Sequence, residues 1–328
     1  MYRKIILLLA AFTMAVFVAA CGQESSQSGS TTGGTSGGGG GETASSTFPV
    51  TVTDSLGRKV EIEERPEQIG SLAPSATETL FAVGAGNRVA GVTTADDYPQ
   101  QVESIEKIGD YQQTNTEKIA SLGIDVIIQS FDGYTKEQAK DLEKKTGAKV
   151  VALNPTSVDE AIDSVSQVGK VVGNTEKAQV VEERLRSELG QLEKQLEGVS
   201  EPTVFYELGY DPLFTVGPGS FVQDAIQKAR GKNVTADAKQ AYPQYSVEKL
   251  LQDDPEYYLA GRSSGATVES IVSRPPYSSL QTVQQDKVFV INDDLVNRPG
   301  PRIVDGVREI AETIHPDVFG GGGTTSGG

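Results

Sequence analysis

Short apolar runs of strand character alternate with amphipathic stretches on both sides of a strandless central segment, and this pattern restricts the chain to a sheet-and-helix fold laid down twice. Gln68–Leu72, Arg88–Thr93, Ile124–Gln129 and Lys149–Leu153 read as strands, with Ala76–Val83, Glu117–Leu122 and Lys136–Lys145 as the helices between them. Ser75 followed by Glu78 fits a capping box at the first helix start, and Gly84 supplies its stop. From Val158 to about Leu196 strand potential disappears. Ala161, Val165, Val168 and Val172 recur at helical spacing, and after Gly173-Asn174 a charged helix runs through Val180, Leu185, Leu189, Leu192 and Leu196. This segment reads as a stiff connector between lobes; two surface helices of a single domain are the alternative. Beyond Pro202 the alternation resumes, with strands at Thr203–Glu207, Tyr257–Ala260 and Val288–Ile291, and helices at Phe221–Ala229, Val247–Gln252 and Val304–Ile314.

A short internal repeat supports two similar halves. Glu117-Lys118-Ile119 leads eight positions on to Asp125-Val126-Ile127-Ile128, and Glu248-Lys249-Leu250 leads eight positions on to Glu256-Tyr257-Tyr258-Leu259. A tyrosine stands six residues before each glutamate, Tyr111 and Tyr242.

The N-terminus predicts export. Arg3 and Lys4 precede an apolar run from Ile5 to Ala20 that ends in Val18-Ala19-Ala20-Cys21, a secretory signal with small residues before the only cysteine. The run is short for a bilayer span of about 20 residues. Val-Ala-Ala-Cys resembles the lipobox of bacterial lipoproteins, so Cys21 is the expected lipid anchor, and a lone cysteine allows no intramolecular disulfide. From Gly22 to about Thr47 the chain is nearly all Gly, Ser, Thr and Gln, a composition that buries too little apolar surface to order itself. The expected layout is a signal at 1–20, a tether at 21–47, an α/β lobe at 48–157, a helical connector at 158–198, a second α/β lobe at 199–319 and a tail at 320–328.

Charge and residue supply exclude several functions. Loss of Arg3 and Lys4 with the signal takes the formal charge from −16 to −18, which argues against nucleic acid or an anionic membrane surface as partner. One histidine, His315, and one cysteine exclude His/Cys zinc clusters, and His315 at the end of the last helix reads as structural. Gly84-Ala85-Gly86 lacks the third glycine of a dinucleotide fingerprint, and Gly217-Pro218-Gly219 lacks the lysine of a phosphate loop. What remains is a set of aromatics in loop-like segments: Tyr98 before Pro99, Tyr111 after Gly109-Asp110, Phe131 past a strand and Tyr242 before Pro243. Such residues suit a cleft for a bulky, partly apolar ligand. Glu117, with Thr114, fits a capping box, and Glu248 lies in the first turn of a helix opened by Ser246; a matched acid on each lobe would equally suit docking onto a basic partner.

Over Phe48 to Phe319 the chain resembles the cobalamin, siderophore and haem binding proteins of ABC importers. The resemblance rests on Gly70-Ser71-Leu72-Ala73-Pro74-Ser75-Ala76-Thr77-Glu78, on Thr116-Glu117-Lys118-Ile119 with Asp125-Val126-Ile127-Ile128, on Ser246-Val247-Glu248 and on Arg298-Pro299-Gly300-Pro301-Arg302. It implies two Rossmann-like α/β lobes joined by one long backbone helix, the class III periplasmic binding protein fold, with a ligand in the cleft and little hinge motion. It also implies that Glu117 and Glu248 meet arginines of a permease, that Tyr98, Tyr111, Phe131 and Tyr242 contact the ligand, and that Asp293 or Asp294 adds a polar contact. A corrinoid is the favoured ligand, although the chain has no tryptophan where the cobalamin binder compared uses several. A ferric siderophore gripped by Arg262, Arg274 and Arg298 is the alternative, with haem third. The expectation is a monomeric, lipid-anchored extracytoplasmic binder with no catalytic residue, resident cofactor or metal. A tethered enzyme using Asp96 and Asp97, or Asp293 and Asp294, is disfavoured because adjacent acids on a strand diverge. A purely adhesive surface protein is the third class.

Overall fold

The computed structural model describes residues 47–110, 113–131 and 133–320. The signal, Cys21, the expected tether up to residue 46, Tyr111 and the last eight residues lie outside them. Among the described residues no helix is long and apolar enough to cross a membrane.

A hairpin, β1 (Val50–Thr53) with β2 (Lys59–Ile62), precedes the first sheet. Its turn is organised by Asp54, whose carboxylate accepts from the backbone N–H of Leu56 and Arg58 and from the Arg58 guanidinium. The sheet itself is parallel, in the order β5-β4-β3-β6-β7: β3 (Ile69–Ser71), β4 (Val89–Thr93), β5 (Glu106–Gly109), β6 (Val126–Ser130) and β7 (Lys149–Leu153). Helices α1 (Pro74–Ala82), α2 (Thr116–Ser121) and α3 (Lys136–Thr146) connect its strands. Then come α4 (Val158–Val172) and α5 (Thr175–Gln195), the longest helix among the described residues.

The second sheet runs β10-β8-β11-β12, again parallel, from β8 (Thr203–Tyr210), β10 (Lys232–Asn233), β11 (Tyr257–Gly261) and β12 (Val288–Ile291). An antiparallel β9 (Leu213–Thr215) flanks β8. Its helices are α6 (Phe221–Lys228), α7 (Val247–Asp253), α8 (Val268–Val272), α9 (Gln281–Gln284), α10 (Asp293–Val296) and α11 (Ile303–Ile314). Both sheets start on a central strand, β3 or β8, build outward on one side, and return to the other side through β6 or β11. The two copies of the sequence repeat occupy α2–β6 and α7–β11, equivalent places in this scheme.

Among the described residues, strand alternation divides the interior into three cores. Val126 and Ile128 of β6, Val204 and Tyr206 of β8, and Tyr257 and Leu259 of β11 enter one continuous core with α1, α4, α5, α6 and α11. Ile127 faces the opposite way, into a core private to the first sheet, and Phe205, Tyr258 and Ala260 into one private to the second.

Local signals explain most boundaries and correct two expectations. Ala73 caps α1, with Pro74 at its first position and no side-chain cap, so Ser75 and Glu78 form no capping box. Asn115, not Thr114, caps α2 by accepting from Lys118 N–H. The edge strand β5 was not legible because only Ile108 of its four residues is buried. Ser246 caps α7 as its position predicts.

Candidate functional site

The site lies where the C-terminal edges of the two parallel sheets meet, the place where open α/β sheets bind ligands. Asp96, Asp97 and Tyr98 follow β4, Phe131 follows β6, Arg262 follows β11, and Asp293 and Asp294 follow β12. Arg298 joins the edges. Its Nη1 donates to Asp97 Oδ1 at 2.6 Å, and its Nη2 stands 2.7 Å from Asp294 Oδ1. Beneath them Glu78 of α1 has a side chain 1% exposed. It accepts from Arg302 Nε at 2.8 Å and Nη2 at 2.6 Å, and from Arg298 Nη1 at 3.4 Å. A carboxylate this deep is tolerable only when paired and hydrogen-bonded. Two arginines separated by one helical turn's spacing in Arg298-Pro299-Gly300-Pro301-Arg302 provide that pairing from the second lobe.

The hydrogen bond from Arg298 holds the Asp97 carboxyl below its ordinary range, outweighing the opposing effect of burial. Burial works against charge on Arg298, but the bond to Asp97 and the charges of Asp294, Asp97 and Glu78 push its guanidinium above the usual arginine value. Both groups are therefore charged across the physiological range. Asp96 is buried and turned the other way, accepting from Thr93 N–H at 2.7 Å and from its hydroxyl at 2.5 Å. Asp293 is buried as well and accepts from Ser263 N–H and hydroxyl. Gly261 permits this approach, since a Cβ there would stand 2.6 Å from Asp293 Oδ2. Neither adjacent pair of acids converges on a common point.

Tyr98 is 47% exposed, and its ring packs on Arg302, with the guanidinium carbon 4.2 Å from the ring centroid. Phe131 meets Tyr134 edge-on at 5.3 Å between centroids. The pair lines a pocket of about 270 Å³ with Leu72, Asp110 and Thr114. Burial pushes the Tyr134 hydroxyl up to about 12, so it remains a protonated donor. Tyr242 is 45% exposed. A larger recess of about 600 Å³ between α5 and α6 has no aromatic among its lining residues, and its Lys228 and Arg230 are ion-paired to acids; it lacks the chemistry of the sheet edges.

The three arginines of the siderophore alternative fare differently. Arg298 is held by carboxylates, as described. Arg274 is turned into the second lobe, where Nη2 donates to buried Glu207 at 3.0 Å and Nη1 to the Tyr258 hydroxyl at 3.3 Å. Its outer face lies 3.7 Å from the Tyr210 ring centroid. Arg262 is exposed in its turn. Glu117 and Glu248 are both exposed, in the first turns of α2 and α7.

Sequence reasoning missed Glu78 and Arg302 as the centre of the lobe junction. The available signal was Glu78 within an otherwise small or apolar helix, Pro74-Ser75-Ala76-Thr77-Glu78-Thr79-Leu80, where a carboxylate has no reason to be unless a cation faces it.

Two parallel-sheet lobes, a long helix beside them and a junction at their carboxyl edges define a class III solute-binding protein. Residues 69–295 match the periplasmic binding protein family, and the chain belongs to that family, as a substrate-binding protein of the ABC-transporter type. It is 31% identical over 317 residues to the ABC transporter substrate-binding lipoprotein YvrC of Bacillus subtilis, covering 94% of this chain and 96% of that one. It is 30% identical over 244 residues to the vitamin B12-binding protein of Vibrio cholerae, covering 74% and 87%. Among solved structures, the periplasmic vitamin B12 binding protein BtuF of Vibrio cholerae superposes with a TM-score of 0.69 at 28% identity, covering 77% of this chain and 98% of that one. CeuE of Helicobacter pylori shares the fold, with a TM-score of 0.74 at 20% identity over 84% and 91% of the two chains.

Proposed function

We propose that the chain is a lipid-anchored, extracytoplasmic, monomeric binding protein that captures a corrinoid of the cobalamin type between its lobes and hands it to the permease of an ABC importer. The observation that carries the ligand class is Tyr98, an aromatic face held exposed on Arg302 where the two sheet edges join. Phe131, Tyr242 and, by its sequence position, Tyr111 add further aromatic surface for a wide, partly apolar ligand, with Asp294 and Arg298 as polar contacts. The relatives named as vitamin B12-binding proteins point the same way. Engagement of Arg274 with Glu207, and of Arg298 with three carboxylates, weighs against the ferric-siderophore alternative.

Docking is assigned to Glu117 and Glu248. They occupy equivalent helices, caps are supplied by Asn115 and Ser246 instead, and neither has an ion pair among the described residues. Anchoring is assigned to Cys21.

Titration of residues 48–319 with cyanocobalamin, followed by calorimetry and absorbance, tests the ligand. One-to-one saturation supports a corrinoid, and uptake of a ferric hydroxamate instead moves the assignment to siderophores. In cells, Glu117→Ala with Glu248→Ala should abolish import while leaving the titration unchanged, and Cys21→Ala should release the protein from the membrane. Import that survives the double change removes the docking assignment.

A further inference from the structure

We infer that the lobe junction acts as a charge filter, admitting neutral or cationic ligands and rejecting anionic chelates. This deepens the binding-protein reading above and rests on it only for the location of the ligand.

Arg298 is the guanidinium best placed to grip an anion, because it stands at the exact seam between the sheets. Its donors are already engaged with Asp97, Asp294 and Glu78. Arg302 is engaged with Glu78 and stacked on Tyr98. Within this linked group three carboxylates face two guanidiniums, so the group carries one net negative charge. An anion approaching Arg298 would have to displace a carboxylate of the same chain that is already ion-paired to it at 2.6–2.7 Å. The loss of one charge-assisted pair would cancel the gain of another.

The surrounding turns strengthen the bias. Asp97 and Asp294, in the turns after β4 and β12, keep 63% and 39% of their side chains exposed toward solvent, so the negative members of the group face outward. Arg262, exposed after β11, is the opposing cation. A neutral ligand with a broad apolar face loses nothing at such a surface, and a cationic one is attracted, whereas each negative charge brought within a few ångströms of a group with net negative charge is repelled.

The test compares ligands matched in shape and different in charge. Two series serve: aquocobalamin as the cation, cyanocobalamin as the neutral member and a cobalamin monocarboxylic acid as the anion; and a neutral ferric trihydroxamate against a ferric tris-catecholate trianion. Dissociation constants are measured on the full chain at low and at high salt. Expected are at least tenfold weaker binding of the anionic member in whichever series binds, and a smaller gap at high salt, where screening shortens to a few ångströms. Asp97→Asn with Asp294→Asn, two partly exposed positions whose substitution leaves the cores intact, should also narrow the gap. Anions that bind as tightly as neutral ligands, or a gap that the double change leaves untouched, overturn the filter. Corrinoids bound without regard to charge would keep the proposed function and sink the filter. Preference for the neutral hydroxamate, with no corrinoid bound, would do the reverse. Silence from both series would end both.

Discussion

Glu78 shows how one side chain can join two lobes. It is supplied by the first helix of the first lobe and satisfied entirely by arginines 220 and 224 residues further along the chain. Replacing it with alanine would leave two half-buried guanidiniums facing only Asp97, Asp294 and water. Loss of one partner of a buried pair costs about 3–5 kcal/mol, and the low end applies here because the arginines retain some solvent. Chemical denaturation of Glu78→Ala should therefore show a loss of about 3 kcal/mol, with Glu78→Gln less affected. His315 makes a different prediction. It is buried at the end of α11, with Nε2 3.0 Å from the Ala229 carbonyl oxygen. Burial lowers its pKa below the ordinary 6.5, despite the opposing backbone bonds to Ala229 and Arg230. A depressed value means the folded state prefers the neutral ring. Stability from this group is therefore present above pH 6.5 and lost as pH falls through the folded value. As the chain has no other histidine, melting temperature measured between pH 7 and 5 should fall less steeply in His315→Gln than in the parent.

Helices α4 and α5 form a hairpin whose fit depends on one residue. Gly173 closes α4 in the left-handed region, and the two helices then run back along each other, tied by Arg186 to Asp159 and by Ser166 to Glu182. Gly169 faces Ala178 of α5, where a Cβ would lie 2.2 Å from the Ala178 Cβ. Gly to Ala inside a helix ordinarily stabilises by about 0.5–1 kcal/mol. Here the sign should reverse: overpacking of this kind costs about 1–3 kcal/mol, so Gly169→Ala should unfold at lower denaturant than the parent. A stabilised variant would show that the helices can move apart freely.

On the scale of the molecule, the lobes are joined by more than a connector. One apolar core runs without interruption from Leu80, Val92 and Val126 of the first sheet region through Val165 and Leu189 to Val204, Leu259 and Ile310 of the second. A hinge between separately folded lobes would instead leave an apolar gap at the joint. Calorimetry should accordingly record one cooperative transition, with equal van't Hoff and calorimetric enthalpies. Two resolved transitions would mean that the shared core is not cohesive. The same continuity, with the Glu78 ion pairs across the junction, should restrain relative motion of the lobes.

The alternation of strands and helices in each half and the helical connector were legible from residue patterns, because buried strands and amphipathic helices impose their own periods on a sequence, whereas the class III fold followed from the family resemblance and the parallel order of the sheets from the folded chain. The α2–β6 and α7–β11 repeat was legible for the same reason. Tyr98 and Phe131 could be proposed as aromatics in loop-like segments near strand ends, whereas Asp294 followed from the family resemblance and Arg298 from the need of an anionic ligand for a cation. The β1–β2 hairpin, the β5 edge strand and the cap of α1 were not anticipated: the three strands have four residues each with only one or two buried, and the start of α1 carries two competing local signals, Pro74 and the Ser75/Glu78 pattern. Glu78 is the clearest case. Local rules made it a helix-capping acid; only the folded chain, by bringing Arg298 and Arg302 across the junction, made it the charge on which the two lobes meet.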